Sequence, residues 1–266
     1  LEAWAGAYPP VRTPKRVLVV MAGNIPLVGF FDLLCVLASG HACRVKPSSK
    51  DTVLIGYVVD LLRTIDPAIP LRMAEQGERL DAVIATGSDN ANRYFRMLFG
   101  GIPSLLRGSR QSVAVLSGRE TAAELSGLEE DIFAYSGLGC RNVSLLFLPR
   151  GYMPELRCTA LNEKYRRNYL RERALLRMCR MPFVDLDGAV LCEDRSFPAA
   201  LSRIHYTFYD SLADVEAWLA AHDDRLQCVV SQCVRHSRRV AFGRAQHPGL
   251  TDYADDVDTM RFLGTI

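Results

Sequence analysis

Short runs of β-branched and apolar residues alternate with amphipathic stretches from Arg16 onward. Three of these runs, RVLVVM at 16–21, CRV at 43–45 and DAVIA at 81–85, predict strands because they are short, apolar and bounded by turn residues. The stretches that follow them have the apolar spacing of helices. Strands that alternate with helices belong to parallel sheets with crossover helices, so we expect a β-α-β-α-β-α unit.

Capping residues and glycines predict where the helices of this unit begin and end. The first helix is predicted over residues 26–39, and Gly40 closes it. The predicted N-caps of the next two helices are Ser49 or Asp51 for the second and Ser88 or Asp89 for the third.

The pattern changes after Gly108, where a second α/β region is predicted to begin. Residues 153–178 within it are predicted to contain a long, arginine-rich helix, and we interpret its basic face as solvated surface. The other predicted helices lie at 120–133 and 212–221. The predicted strands lie at 113–116, 144–148, 189–191, 205–209 and 228–230.

The composition is that of an ordinary globular protein. Of the 266 residues, 49% are hydrophobic and 23% charged, and 32 Lys and Arg against 30 Asp and Glu give a net charge of +2. This balance argues against a nucleic-acid partner. No apolar run approaches the roughly 20 residues of a membrane span. Because the chain begins with Leu1 and without a leader pattern, we expect a cytoplasmic protein whose N-terminal part is missing.

Eight cysteines are scattered along the chain at irregular spacings. In a chain of this length they indicate reduced thiols and not a disulfide framework. Cys228, Cys233 and His236 come closest to a metal-ligand cluster, but their spacing fits no common zinc pattern, so no metal site is expected. Burial as small apolar side chains is expected for most of the cysteines, namely Cys35, Cys43, Cys158, Cys179, Cys192, Cys228 and Cys233.

Cys140 differs from the other cysteines because it lies in the glycine-rich sequence SGLGCRN at 136–142. Glycines make such a segment a bend, and free backbone amides or a nearby cation stabilise a thiolate there. The alternative is again a buried small side chain. The flanking glycines favour a nucleophile.

Small polar residues follow each of the first three predicted strands. Asn24 lies in AGNIPLVG after the first strand, Lys46 begins KPSSK after the second, and Thr86 begins TGSD after the third. The dinucleotide fingerprint G-x-G-x-x-G is absent. Hydroxyls, a cation and free amides at strand-to-helix junctions suit a phosphate. Each turn alone has the alternative of a simple helix cap, but three in succession favour a nucleotide site.

Taken in order, these segments resemble the aldehyde dehydrogenase superfamily along nearly the whole chain. The resemblance is closest to the acyl-CoA reductases of the fatty-acid reductase type known from bacterial luminescence. It is carried by AGNIPLVGFFDLLCVLASGH, KPSSKD, ATGSDN, EDIFAYSGLGCRNVS and FGRAQHPGLTDYADDVDTMRFL. It implies an α/β fold of the aldehyde dehydrogenase type, in which a Rossmann-like parallel-sheet cofactor domain is followed by an α/β catalytic domain that carries the nucleophilic cysteine.

The resemblance also implies domains and residue roles. Residues 1–107 correspond to an NADP-binding domain, residues 108–240 to a catalytic domain, and residues 241–266 to a segment that returns to the cofactor domain or contacts another subunit of a homo-oligomer. Cys140 is implied to be the nucleophile and Asn24 an amide donor of the oxyanion hole. The implied cofactor-binding residues are Lys46, Ser48, Ser49, Thr86, Gly87 and Ser88.

Two departures from the aldehyde-oxidising members change the expected chemistry. Leu106 replaces the glutamate that activates water in those members, and without a general base the hydrolysis of an acyl-enzyme is disfavoured. Exchange of the acyl group with CoA is expected instead. Ser49 replaces the glutamate of NAD-preferring relatives, and with Lys46 and Lys50 nearby it accepts a 2′-phosphate, so NADPH is expected over NADH.

The expected function is therefore reduction of an acyl-CoA substrate to the aldehyde by NADPH through an acyl-cysteine intermediate. Acyl-phosphate reductases and aldehyde dehydrogenases of the same superfamily are the nearest alternatives. The C-terminal sequence FGRAQHPGLTDYADDVDTMRFL favours CoA over acyl phosphate. A non-catalytic nucleotide-binding or scaffold protein is the alternative from a different class.

Overall fold

The computed structural model describes residues 1–159 and 162–266. These residues form two compact units. Unit 1 comprises Leu1–Ser109 together with Leu250–Ile266, and unit 2 comprises Arg110–Gly249. That one unit has a cofactor role and the other a catalytic role stays a prediction from the sequence.

Unit 1 is built around a parallel sheet, which has five strands among the described residues. They lie side by side in the order β3-β2-β1-β4-β5, and their bounds are Arg16–Val20 (β1), Ala42–Lys46 (β2), Leu71–Met73 (β3), Ala82–Thr86 (β4) and Ser104–Arg107 (β5). The helices of this part of the chain are Glu2–Ala5 (α1), Phe30–Ala38 (α2), Thr52–Ile65 (α3) and Asp89–Phe99 (α4), with a C-terminal helix at Thr259–Gly264.

The strand register of unit 1 brings several turns to one edge of the sheet. Val20 at the end of β1 pairs with Lys46 of β2 and with Ala85 of β4. Thr86 pairs in turn with Arg107 at the end of β5. Because all these strands are parallel, the turns that follow them lie at the same carboxyl edge, where nucleotides bind in such sheets.

Apolar side chains on both faces of this sheet form the core of unit 1. Leu33 and Val36 of α2 are fully buried against it. The C-terminal segment adds Tyr253, Met260 and Leu263 to the same cluster. Burial of this kind is the main source of stability, at about 1.5–3 kcal/mol for each large side chain.

A buried ion pair also joins the C-terminal helix to the rest of unit 1. The Arg107 guanidinium lies 2.6 Å from both carboxylate oxygens of Asp32 and donates to Thr259 Oγ1 at 2.7 Å. The ring of His41 accepts from the Lys15 amide at Nδ1, so its Nε2 donates to the Leu263 carbonyl at 2.9 Å. Residues from both ends of the chain therefore hold this unit together.

Unit 2 contains a mixed sheet, which has seven strands among the described residues, in the order β12-β11-β6-β7-β10-β9-β8. The β8–β9 pair is antiparallel and the other pairs are parallel. The strands are Gln111–Val115 (β6), Val143–Pro149 (β7), Val184–Asp185 (β8), Val190–Glu193 (β9), Arg203–Tyr209 (β10), Leu226–Ser231 (β11) and Arg239–Val240 (β12). The helices are Ala122–Phe133 (α5), Glu163–Met178 (α6) and Leu212–Ala221 (α7).

The expected α/β fold, a Rossmann-like parallel sheet followed by a second α/β region, is confirmed. One predicted helix start is wrong. The first helix begins at Phe30, because the residues after Asn24 form a turn in which Leu27 has a φ of 56° and donates its amide to Asp51.

The helix predicted within 153–178 begins at Glu163. The Asn162 side chain accepts from the Tyr165 amide at 2.7 Å and caps it there. The strands β3 and β5 were not predicted, since they are three and four residues long and have no β-branched residues. Within the described residues, no helix combines the length and apolarity of a membrane span.

Candidate active site

Cys140 lies in unit 2, in the bend between α5 and β7, and its side chain is exposed. A 3₁₀ turn over Ala134–Gly137 leads into this bend. Tyr135, Ser136 and Gly137 adopt φ values of 51°, 54° and 66°. Three successive residues in the left-handed region are costly for non-glycine side chains, and such strain persists where the surrounding structure enforces it.

Hydrogen bonds of the Asn142 side chain hold the backbone on both sides of these strained residues in place. Its side-chain nitrogen donates to the carbonyls of Asp131, Ile132 and Ala134 at 3.2, 3.1 and 2.9 Å. Its side-chain oxygen accepts from the Gly139 amide at 2.8 Å. One buried amide thus ties the end of α5 to the residue before the cysteine.

Ser112 of β6 holds the bend from the other side. Its Oγ donates to the Cys140 carbonyl at 2.9 Å and accepts from the Cys228 amide at 3.2 Å. The Cys228 sulfur lies 3.0 Å from the same Oγ. Burial raises the pKa of Cys228 to about 11, so this second thiol stays neutral near physiological pH.

The exposure of the eight cysteines separates Cys140 from most of the others. As predicted, Cys35, Cys43, Cys192 and Cys228 are buried, and burial raises the pKa of each of these thiols. The prediction for Cys179 is wrong: it is exposed, because it occupies the C-cap position of α6, past the last turn that packs on the sheet. Cys158 and Cys233 are partly exposed.

A cavity of about 250 Å³ adjoins the cysteine bend within unit 2. Gly137, Gly139 and Asn142 form its wall on the side of the bend. Residues 198–201 and the polar groups of Gln111, Ser144 and Arg203 also line it. The thiol-bearing loop therefore borders a recess with apolar and polar walls, as a substrate site requires.

In unit 1, the turns after β1 and β2 contact each other closely. A side chain on Gly23 would meet Ser48 Oγ at 2.5 Å, so glycine is needed at this position. The buried Asp51 carboxylate accepts from the Leu27 amide at 2.7 Å and links the two turns further. Asn24 is exposed on the first turn. It precedes the start of α2 by six residues and is not its N-cap, which is Gly29.

One predicted cofactor residue of the second turn, Ser49, lines a groove. Asn24, Ser49 and Lys50 line it together with the first residues of α3, and its volume is about 390 Å³. Lys46 and Ser49 are exposed at this edge, and Ser48 is partly exposed. The groove thus offers a cation, hydroxyls and the N-terminus of a 14-residue helix within unit 1.

The third turn follows β4 at the same edge. Thr86 ends the strand, and the Gly87 amide donates to the Arg107 carbonyl at 3.1 Å. Ser88 caps α4 by accepting from the Ala91 amide at 3.3 Å. The structure therefore places all seven predicted residues of unit 1 at one edge of its sheet, and Cys140 in unit 2. Their functional roles stay predictions.

Leu106, the residue in place of the water-activating glutamate, lies in β5 and is half-buried among apolar neighbours. The neighbouring Arg107 is committed to the Asp32 ion pair. Among the described residues, no group of three or more His, Cys, Asp and Glu side chains is placed to hold a metal ion. Two residues of the sequence pattern that came closest to a metal-ligand cluster have other neighbours: Cys228 contacts Ser112, and His236 lies 3.2 Å from Asp223.

Several solved structures share this architecture. The NAD+ complex of an aldehyde dehydrogenase from Bacillus cereus matches 88% of this chain and 61% of its own length, with 13% identity and a TM-score of 0.64. The fold is that of the aldehyde dehydrogenases. A Mycobacterium tuberculosis aldehyde dehydrogenase complexed with NAD+ matches 76% of this chain and 53% of its own at 17% identity and a TM-score of 0.60.

A third aldehyde dehydrogenase fold is the substrate-bound AldH of Staphylococcus aureus, which matches 89% of this chain and 65% of its own at 17% identity and a TM-score of 0.58. This chain therefore spans between 53% and 65% of the lengths of these structures. No protein-family model and no curated protein sequence matches it.

Sequence reasoning missed the residues that support the cysteine bend within this aldehyde dehydrogenase fold. Asn142 follows the cysteine by two positions and is a polar residue at the edge of an apolar strand, which is a signal for a structural amide. Ser112 has no such signal, because its contact with Cys140 joins residues 28 positions apart. Asp51 occupies the predicted N-cap position of α3, but its carboxylate accepts from the Leu27 amide and not from the first turn of that helix.

Proposed function

We propose that this chain is an acyl-CoA reductase of the fatty-acid reductase type, which converts an acyl-CoA to the aldehyde and free CoA with NADPH. The observation that carries the proposal is the exposed Cys140 on a bend held by Asn142 and Ser112 beside a cavity. A thiol held in this way suits covalent catalysis, since the loop fixes the direction of attack. The sequence resemblance supports the choice of acyl-CoA as substrate.

The residues at the carboxyl edge of unit 1 fit a nicotinamide nucleotide. Ser49 and Lys50 line the groove and offer a hydroxyl and a cation, and Lys46 and Ser48 lie earlier on the same turn. Because Ser49 adds no carboxylate there, a 2′-phosphate is favoured, which supports NADP over NAD. When bound, the cofactor supplies a hydride. The Bacillus cereus and Mycobacterium tuberculosis structures of the same fold are NAD+ complexes, which supports a cofactor of this class.

In the proposed reaction the Cys140 thiolate attacks the thioester carbonyl carbon. A carbon–sulfur bond forms to Cys140, the bond to the CoA sulfur breaks, and CoA leaves as a thiolate. Because the CoA thiolate is a weak base, its departure needs little help from a general acid. The Cys140 amide and the Asn24 side-chain amide are proposed to stabilise the oxyanion, and such a donor contributes about 10² to 10³ in rate. The role of Asn24 rests on the sequence resemblance.

The decisive experiment replaces the proposed nucleophile. Cys140→Ala is expected to abolish aldehyde formation from acyl-CoA and NADPH while NADPH affinity stays nearly unchanged. Cys179→Ala is the matched control, since Cys179 is the other fully exposed cysteine among the described residues, and it should keep wild-type turnover. Aldehyde production by the Cys140 variant would refute the assignment. A wild-type chain that binds neither NADPH nor acyl-CoA would favour a scaffold role.

The cofactor proposal is tested by comparing kcat/KM for NADPH and NADH. We expect the wild-type chain to prefer NADPH. Ser49→Glu should move the preference toward NADH, because a carboxylate repels the 2′-phosphate. A wild-type preference for NADH would contradict our interpretation of this turn.

Aldehyde oxidation is the second candidate function, and the aldehyde dehydrogenases among the structural relatives favour it. The two functions differ in the fate of the acyl-enzyme. Because Leu106 is apolar, we expect the acyl-enzyme to persist in water and to decay when CoA is added. Rapid decay without CoA would indicate a hydrolytic base and an oxidising enzyme.

A further inference from the structure

A second cavity of unit 2 adjoins the recess at the cysteine bend. Its volume is about 490 Å³, and it shares the wall formed by residues 199–201 and Arg203 with that recess. Leu138 of the cysteine bend lines one side, and α6 lines the other with Lys164, Arg171 and Glu172. We call this cavity the α6 groove.

The α6 groove carries more positive than negative charge. Lys164, Arg171 and Arg203 face the single carboxylate of Glu172. Glu172 is 3% exposed and accepts from the Arg203 guanidinium at 2.6 Å, so this pair largely neutralises itself. Arg171 lies 3.8 Å from the same carboxylate and keeps an exposed side chain. Lys164 is exposed at the first turn of the helix.

Arg203 has a further unmet hydrogen-bonding group. Its Nε is buried and has no hydrogen-bond partner among residues 1–159 and 162–266. A buried donor without an acceptor costs about 1–3 kcal/mol. The Nε has no accessible surface for a ligand, but an anionic ligand in the groove would balance the exposed charges of Lys164 and Arg171.

The position of the groove identifies the class of anion. The recess it adjoins borders Gly139, the residue before the proposed nucleophile. A thioester substrate whose reacting carbonyl lies at Cys140 must extend its thiol half away from that point. In CoA this half is a pantetheine arm that ends in phosphates. Arg is well suited to phosphate and Lys binds it as a point charge.

We infer that the α6 groove binds a phosphate group on the pantetheine side of the thioester substrate. This inference rests on the proposed function. It assigns Lys164 and Arg171 to substrate binding, in contrast to the interpretation of the whole basic face of this helix as solvated surface. Arg166 and Arg167, on the same helix, do not line the groove and pair with Glu163 at 3.9 and 2.9 Å.

The test uses three substrates with the same acyl group: acyl-CoA, acyl-4′-phosphopantetheine and acyl-pantetheine. The double variant Lys164→Gln/Arg171→Gln should raise KM for acyl-CoA by about tenfold or more, with kcat little changed. KM for acyl-pantetheine, which has no phosphate, should not change. The matched control Arg166→Gln/Arg167→Gln should behave as wild type with all three.

The intermediate substrate identifies which phosphate is bound. If acyl-4′-phosphopantetheine loses affinity in the double variant, the groove binds the phosphate next to the pantetheine. If acyl-CoA alone loses affinity, it binds a phosphate of the nucleotide. Equal losses with all three substrates, or equal losses in the control variant, would overturn the inference.

A binding measurement separates this inference from the proposed function. Calorimetric titration of free CoA into the Cys140→Ala chain requires no turnover, and Lys164→Gln/Arg171→Gln in that background should weaken binding by about tenfold. If wild type reduces acyl-pantetheine and acyl-CoA with equal KM, the function stands and the groove assignment fails. If no thioester is reduced but CoA binding still depends on Lys164 and Arg171, the proposed function fails and the binding site stands.

Discussion

At the scale of single residues, the cysteine bend depends on side chains that have no chemical role of their own. Asn142 bonds three carbonyls and one amide with its single side chain, and these groups flank the strained residues before Cys140 on both sides. Buried polar groups that lose their partners cost more than an average hydrogen bond contributes. The bend is therefore sensitive to changes that keep the shape of this side chain but alter its donors.

Asn142→Asp is such a change. A carboxylate has no hydrogen to donate and would face three carbonyl oxygens, so we expect unfolding free energy to fall by about 3 kcal/mol or more. Urea denaturation monitored by fluorescence measures it. Asn168→Asp is the control, since that amide donates to one carbonyl on a helix surface and should cost less than about 1 kcal/mol. Equal effects of the two variants would contradict the structural role of Asn142.

Asp131 anchors residues 243–245 to the end of α5 and should make stability depend on pH. Its carboxylate accepts from the amides of Gly243 and Ala245 at 2.7 and 2.9 Å. The pKa of Asp131 is raised to about 6, chiefly by burial and also by the neighbouring Glu130, and this outweighs the two amides and His247, which lower it. The folded chain thus holds this proton more tightly than the unfolded chain.

The sign of the pH effect follows from this difference. The contribution of Asp131 to stability is complete below about pH 4 and is lost as the pH rises through about 6. Asp131→Asn has no proton to lose, so wild-type stability relative to this variant should fall by about 2 kcal/mol between pH 4 and 7. Parallel urea titrations at several pH values measure the difference. A constant difference over this range would show that burial does not govern this carboxyl group.

At the scale of elements, the close contact between the turns after β1 and β2 builds the carboxyl edge of unit 1. Gly23→Ala would place a Cβ 2.5 Å from Ser48 Oγ and 2.6 Å from its Cβ. One of the turns must move, and we expect a loss of about 1–3 kcal/mol in stability together with weaker NADPH binding. Thermal unfolding and a fluorescence titration with NADPH measure the two effects.

Gly56→Ala provides the control for this prediction. Gly56 lies inside α3, and outside the helix's own backbone the nearest atom of the described residues to an added Cβ is Met73 Cε at 4.0 Å. Removing a glycine from a helix interior should stabilise the chain by about 0.5–1 kcal/mol. If both glycine variants changed the stability in the same direction, the close contact between Gly23 and Ser48 would not explain the need for glycine in this turn.

The elements also show which features the sequence predicts and which it does not. The strands β1, β2 and β4 can be predicted because short runs of apolar residues are bounded by turn residues. The start of α2 is not, because the turn before it depends on Leu27 in a left-handed conformation and on Asp51, 24 positions away. The glycines around Cys140 mark a bend locally, whereas the contacts of Ser112 that hold it exist only in the folded sheet.

At the scale of the whole molecule, unit 1 depends on residues from both ends of the chain. Leu263 is fully buried in its core, although it lies more than 200 positions from most of its partners. Such distant contacts cannot be read from local patterns, since nothing near Leu263 in sequence indicates which sheet it covers. They predict that a destabilising substitution in the C-terminal helix also destabilises the strands near the N-terminus.

Leu263→Ala tests this dependence. Removing a buried leucine should lower stability by about 2–5 kcal/mol, because the transfer free energy is lost and a cavity remains. Leu98→Ala, at a position 54% exposed on α4, should change stability by less than about 0.5 kcal/mol. In hydrogen exchange, the Leu263 variant should lose protection in β1, β2 and β4 while β6 and β7 keep theirs, since the lost contacts all lie in unit 1. Loss of protection confined to the C-terminal helix would instead show that the helix detaches without weakening the sheet.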